Sequence, residues 1–306
     1  METKNNIKGS LILIAAALIW GLAFVAQTSG AEVVSPFFLN SARSFIGALF
    51  LLTFLLLKDK RKGISIIPQN KEDKLHLLKG GIICGIFLSI SVNFQQFGIA
   101  AYPDGVASEA RSGFLTALYV ILVPLFAIFK GNKISLKVLL GVIIAVIGIY
   151  MLCLTGGIDT IYLGDILVFI CAICFTFHIM SVDKFVAKVD GVRLSMVQFI
   201  ICGIISGILS LIFELDNLSV SNIISAILPI LYLGIMSSGV AYTLQIVGQK
   251  FAEPTIASIS MSLESVFAAL GGWLISGNTL SVRELIGCAL VFIAIIVAQL
   301  PTKQKV

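Results

Sequence analysis

The chain has 306 residues, 58% of them hydrophobic and 12% charged, with a mean hydropathy of +1.06. A soluble domain carries about 25% charged residues, and half that density cannot cover a water-facing surface of this size, which excludes a soluble globular enzyme and a disordered chain. The net charge of +5 does not signal a nucleic-acid binder, because the basic residues lie in short connections and not on one folded face.

About 20 apolar residues cross a bilayer as a helix. Apolar runs fall at roughly 9–29, 36–57, 76–101, 105–129, 136–154, 163–184, 193–213, 223–247, 255–276 and 283–300, which predicts ten transmembrane helices and leaves no room for a separate soluble domain. The first run follows Lys4 and Lys8 and resembles a signal peptide with Ser29-Gly30-Ala31 as its cleavage site. It is longer than a typical signal core and is read as an uncleaved span. Lipid offers no partner for backbone groups, and the runs are too long and too uniformly apolar for barrel strands, so an all-α integral membrane protein is expected. Cys84, Cys153, Cys171, Cys174, Cys202 and Cys288 all lie inside apolar runs and read as small buried residues with no disulfide framework.

Lysine and arginine set the orientation. Eighteen of the 21 basic residues, among them Lys58, Lys60, Lys71, Lys130, Lys188, Arg193 and Lys250, fall on one side, and only Arg283 falls on the other. Both termini are therefore expected in the cytoplasm of a multi-pass protein of the cell membrane. Glu32, Asp104, Asp159, Glu214, Asp216 and Glu284 mark the outer connections.

The sequence also repeats. Gly131-Asn132-Lys133-Ile134-Ser135-Leu136-Lys137 matches Gly277-Asn278-Thr279-Leu280-Ser281-Val282-Arg283 at an offset of 146, which carries Gly141 onto Gly287. Gly9-Ser10-Leu11 matches Gly164-Asp165-Ile166 at an offset of 155, setting Ala17 on Ala172 and Trp20 on Phe175. The expected halves are 9–154 and 163–300, together one membrane domain. Five spans is an odd number, so the second half threads the membrane in the opposite sense to the first, as an inverted repeat.

Polar residues inside spans mark candidate sites, because a charge at a span centre costs about 2.5–3.5 kcal/mol and normally faces a cavity or a partner. In chain order these are Trp20 in the first span, Arg43 in the second, and Ser89, Asn93 and Gln96 along one face of the third. The fourth span supplies Arg111 and Tyr119 beside Thr116; the eighth supplies Ser238, Tyr242 and Gln245; the ninth supplies Glu264 near the midplane. Arg43 and Arg111 fit either an anionic part of a substrate or a structural tie to helix carbonyls or to a carboxylate such as Glu109. The stripes read either as interhelical hydrogen bonds or as walls of one polar lumen. Glu264 reads as a proton carrier or as a locally paired structural glutamate. Cys171, Cys174 and His178 have metal-ligand spacing on the sixth span but no fourth ligand in view, so no metal and no cofactor are expected. Gly81 with Gly85 and Gly203 with Gly207 are small-xxx-small pairs for close helix contact, within one chain or in a homodimer. Nucleotide-binding, serine-hydrolase and zinc-protease motifs are absent.

Ala17-Leu18-Ile19-Trp20-Gly21, Arg43, Gly164-Asp165-Ile166-Leu167, Leu263-Glu264-Ser265 and Ser276-Gly277-Asn278-Thr279-Leu280-Ser281 together resemble the EamA-like branch of the drug/metabolite transporter superfamily, over nearly the whole chain. Ser265 stands where that family often has proline, and Asn132 and Asn278 where it often has glutamate, so no family role passes to those three. The resemblance implies a ten-helix carrier of small organic metabolites, often an exporter, with its cavity between the halves. The leading expectation is a secondary transporter for an amino acid or related compound that works by alternating access, with protons as candidate coupling ion and Trp20, Arg43, Asn93, Gln96, Arg111, Tyr119, Tyr242 and Glu264 as substrate-binding residues. The alternatives are a flippase for a lipid or lipid-linked sugar and an integral-membrane enzyme, which would need a catalytic trio at one depth.

Overall fold

The computed structural model describes residues 2–60, 65, 67–127, 136–153, 161–186, 188–251, 254–277 and 279–299, and among these there is no strand. The helices are α1 (Glu2–Ala31), α2 (Pro36–Lys60), α3 (Lys71–Ala100), α4 (Ser108–Thr116), α5 (Tyr119–Ala127), α6 (Leu136–Cys153), α7 (Leu163–Val186), α8 (Gly191–Phe213), α9 (Val220–Ser225), α10 (Ile227–Leu231), α11 (Tyr242–Gln249), α12 (Pro254–Ile275) and α13 (Val282–Gln299). A π-helical stretch, Tyr232–Ala241, joins α10 to α11. Six helical runs, Lys8–Ala31, Pro36–Asp59, Lys71–Ala100, Leu163–Val186, Gly191–Phe213 and Ile227–Gln249, are long and apolar enough to cross a membrane; shorter apolar helices cover Leu139–Met151 and Ser260–Ile275. Large apolar side chains such as Leu49, Leu57, Val146, Leu211, Phe213 and Leu274 lie exposed along the outside of the bundle. That belt suits lipid and not water. Of the repeated motif, residues 131–135 and 278 lie outside the described residues, as does Asp159.

Several runs depart from the sequence reading, the first of them by starting at Glu2 instead of 9. The run at 105–129 is broken between α4 and α5, where Leu118, Val120 and Ile121 each donate to the carbonyl three residues back; Pro124 has no N–H to return to Val120. The run at 223–247 is divided as α9, α10, the π-helical stretch and α11, and Pro229 likewise cannot donate to Ser225. Helix α3 begins at Lys71 instead of 76, because Asn70 caps it by accepting from the Glu72 N–H, with Glu72 and Asp73 in the first turn.

Helices pair as α1 with α12, α2 with α8 and the π-helical stretch, α3 with α7 and α8, α4 and α5 with α7, α1 with α11, and α6 with α13. Small residues allow these approaches. A Cβ on Gly85 would sit 2.6 Å from the Ile201 Cβ, and one on Gly203 would sit 3.1 Å from the Phe45 ring, so both small-xxx-small pairs face helices of the same chain. Gly98 and Gly164 press on each other where α3 crosses α7, a Cβ on Gly164 standing 2.6 Å from the Gly98 carbonyl oxygen.

Polar ties hold the two ends. At the end carrying Glu32 and Asp104, the Glu214 carboxylate accepts from the Phe37 and Phe38 N–H groups at 3.0 and 2.9 Å, capping α2 where the chain has no earlier turn to do so. At the opposite end, Arg193 bonds Asp59 and the Ser65 carbonyl and pairs with Asp190.

Candidate functional site

Residues of α1, α2, α3, α4, α5, α7, the π-helical stretch, α11 and α12 enclose a cavity at the centre of the bundle. Its aromatic wall is Trp20, Phe24, Tyr119, Phe175 and Tyr242, and its polar groups are Gln27, Arg43, Gln95, Thr116, His178, Ser237, Gln245 and Glu264. Trp20 packs edge-on against Tyr242 with ring centroids 4.9 Å apart. The cavity measures about 50 Å³, and one water needs about 10–15 Å³. The site therefore has room for only a few waters, and a metabolite would enter only by moving its walls.

Arg43 and Glu264 are the opposed charges of this cavity. Arg43, 6% exposed, donates from Nη1 to the Gln27 Oε1 at 3.4 Å, a long bond. Glu264, 5% exposed, accepts from the Tyr119 hydroxyl at 2.7 Å. Neither makes an ion pair among the described residues, although Tyr242 lies within electrostatic reach of both.

The structure brings together five of the eight residues singled out from sequence, Trp20, Arg43, Tyr119, Tyr242 and Glu264, and places three elsewhere. Arg111 is 1% exposed and forms a two-bond fork with Asp165, Nε to Oδ1 at 3.1 Å and Nη2 to Oδ2 at 2.6 Å. Asp165 also accepts from the Tyr102 hydroxyl at 2.8 Å and the Tyr162 N–H at 3.1 Å, and the guanidinium lies over both tyrosine rings. Asp165 is thus a carboxylate that holds Arg111, a tie of the kind that the sequence reading illustrated with Glu109. Asn93 donates to the Ser89 carbonyl and to Ser206 and accepts from Asn40, tying α3 to α8 and α2. Gln96 donates to the Gln27 carbonyl at 3.0 Å, tying α3 to α1.

Gln27, Gln95, His178 and Ser237 join the site without having been singled out for it. Gln27 was readable, since Trp20, Phe24 and Gln27 recur at i, i+4 and i+7 on one helical face. Gln95 was hidden by its neighbour: the stripe through Ser89, Asn93 and Gln96 faces other helices, and Gln95, about 100° round the helix, faces the cavity and donates to Thr116 at 3.1 Å. His178 is bonded through Nε2 to the Gln198 Oε1 at 3.1 Å, which gives that nitrogen a protein partner instead of a metal.

A second, wider space of about 490 Å³ opens at the end of the bundle carrying Glu32 and Asp104. Thr28 lines it one residue along α1 from Gln27, which lines the central cavity, and a hydrogen-bonded clasp forms part of its wall. Thr28 and Ser108 hydroxyls are 3.2 Å apart, Ser108 lies 3.4 Å from the Glu109 Oε2, and Ser276 donates to the Glu109 Oε1 at 2.8 Å. The clasp joins α1, α4 and the residue following α12.

Comparison with known proteins agrees with a membrane carrier. The model of the EamA-like transporter family matches twice in tandem, over residues 7–154 and 162–299. The chain is 26% identical to an uncharacterized transporter of Archaeoglobus fulgidus, over 98% of this chain and 88% of that one. It is 24% identical to the inner membrane transporter YedA of Escherichia coli K12, over 94% and 89% of the two chains, and 24% identical to the transporter YoaV of Bacillus subtilis 168, over 93% and 94%. A solved crystal structure with 22% identity superposes with a TM-score of 0.68 over 96% of this chain and 97% of the other, a likeness of fold. With both parts of the chain matched and a cavity lined by polar and aromatic side chains within an apolar bundle, the protein belongs to the EamA-like transporter family.

Proposed function

We propose that the protein is a secondary carrier for a small zwitterionic metabolite, with amino acids and their relatives as the substrate class, and that it catalyses no chemical reaction. The observation that carries this reading is the pair of opposed, buried charges, Arg43 and Glu264, lining one aromatic-walled cavity without pairing to each other. A planar guanidinium fork suits a carboxylate, Glu264 suits an ammonium, and the rings accept an apolar side chain. Substrate would then replace the desolvation cost of two isolated charges with two charge-assisted contacts.

The carrier is proposed to be ten spans in two inverted halves, 9–154 and 163–300, with both termini cytoplasmic. Three features support this. The family matches twice in tandem over nearly these ranges. The helix pairing is preserved when the halves are exchanged: α1 with α12 becomes α7 with α4 and α5, and α3 with α7 becomes α11 with α1. Trp20 and Phe175, equivalent by the offset of 155, line the same cavity; Tyr119 and Glu264, 145 residues apart, bond across it. Rocking of the halves would expose that cavity to each side in turn, and the clasp around Glu109 would be the outer closure. Protons are the proposed coupling ion, with Glu264 as the group that loads and releases them. Export is the direction that the family resemblance favours.

Uptake and efflux of an amino-acid and metabolite panel in membrane vesicles of both orientations, with and without a pH gradient, tests this. Saturable movement of amino acids that responds to the gradient supports the proposal. Movement of lipid probes alone would replace it with a flippase.

A further inference from the structure

The cavity carries polar groups that no described residue satisfies. The indole Nε1 of Trp20 and the Oε1 of Gln245 are buried and have no hydrogen-bond partner among the described residues. Both residues line the central cavity, and Gln245 is only 3% exposed. They belong to one cluster: α1 packs on α11, Trp20 stacks edge-on against Tyr242 at 4.9 Å, and Gln245 lies one turn after Tyr242 on the same face. Each buried donor or acceptor left unmade costs about 1–3 kcal/mol, and of the buried side-chain atoms without a partner among the described residues these two belong to residues that line the central cavity.

We propose that Trp20 and Gln245 form a neutral hydrogen-bonding subsite for a carboxamide on the substrate, the inference resting on the carrier reading of the cavity. Indole N–H can only donate, whereas a glutamine amide offers one acceptor and two donor hydrogens. A carboxamide complements both: its carbonyl accepts from Trp20, and its NH₂ donates to the Gln245 Oε1. An alkyl group would leave both polar atoms unmade. With Arg43 and Glu264 holding the zwitterion, the subsite selects amino acids with amide side chains over apolar ones of the same length.

The test uses the full-length protein in liposomes, comparing counterflow of L-glutamine with that of L-norleucine, and then the same ratio in Gln245→Met. A site built to hydrogen-bond a group discriminates strongly against the analogue lacking it, and two satisfied bonds predict a preference for L-glutamine of about tenfold or more. Gln245→Met should collapse that ratio. Equal transport of L-glutamine and L-norleucine, or a ratio unmoved in Gln245→Met, overturns the subsite and leaves the amino-acid reading standing. An independent readout needs no transport. The protein has two tryptophans, and Trp273→Phe removes the lipid-exposed one, leaving Trp20 as the sole emitter. Butyramide should shift Trp20 emission, and Gln245→Met should abolish the shift. A shift with butyramide but none with any amino acid retains the subsite and removes the zwitterion reading; no shift with butyramide or L-glutamine overturns the subsite.

Discussion

Arg43 and Arg111 look alike in the sequence, each an arginine within an apolar run, and the fold gives them opposite surroundings. Arg111 spends its fork on Asp165, whereas Arg43 keeps only a 3.4 Å contact with Gln27 and faces the cavity. The difference was illegible because Asp165, read as part of a recurring Gly164-Asp165-Ile166-Leu167 motif, lies 54 residues from its partner. Arg43→Lys should lower transport by about tenfold to a hundredfold, the loss of one charge-assisted bond of about 1.5–3 kcal/mol, while membrane yield and thermal stability stay near wild type. Normal transport in that variant would remove Arg43 from the binding site. Glu264→Gln keeps size and hydrogen bonding but cannot titrate. It should abolish accumulation driven by a pH gradient while exchange between equal pools stays measurable, and proton-driven accumulation persisting in the variant would falsify the coupling role. Tyr119, Tyr242 and Glu264 were legible as deep polar or aromatic residues; that they meet around one space is a property of helix packing that spacing on single helices does not encode.

Helices follow from the apolar runs, whereas their interruptions depend on local backbone chemistry. The separation of α4 from α5 at Ala117 and Leu118 sets Thr116 and Tyr119 on either side of a tightened turn, both lining the cavity. The π-helical stretch is clamped on α2 by small residues: a Cβ on Gly239 would stand 2.5 Å from the Phe50 Cδ1, and one on Gly47 would stand 2.7 Å from the Ser238 Cβ. Apolar composition alone gives such segments no signature. The tie between α4 and α7 makes a stability prediction. Arg111→Met alone should destabilise by about 3–5 kcal/mol, because it leaves the Asp165 charge buried, whereas Arg111→Met combined with Asp165→Leu should recover much of the loss. Thermal unfolding in detergent measures both, and equal loss in the single and double variants would show that the pair acts otherwise. Gly98→Leu should cost about 1–3 kcal/mol or more by overpacking, since even a Cβ there would lie 2.6 Å from the Val168 Cγ2 and 3.0 Å from the Gly164 carbonyl oxygen.

At the scale of the whole molecule, the lopsided placement of lysine and arginine predicts which end of the bundle meets the cytoplasm. Single cysteines labelled from outside intact cells should react at Asp104 and Asp216 and stay protected at Lys58 and Lys188; outside labelling at Lys188 would overturn the topology and the inverted repeat with it. The acid-rimmed space of about 490 Å³ would then be the outer vestibule and the clasp around Glu109 its floor. The central claim is that one cavity, closed to about 50 Å³ in this state, carries substrate by opening alternately to the two sides. Counterflow in liposomes tests it most directly. Unlabelled amino acid loaded inside should drive transient uptake of labelled amino acid above its equilibrium level, and Arg43→Lys should reduce that overshoot. Monotonic equilibration with no overshoot for any amino acid, in liposomes shown to hold folded protein, would contradict it.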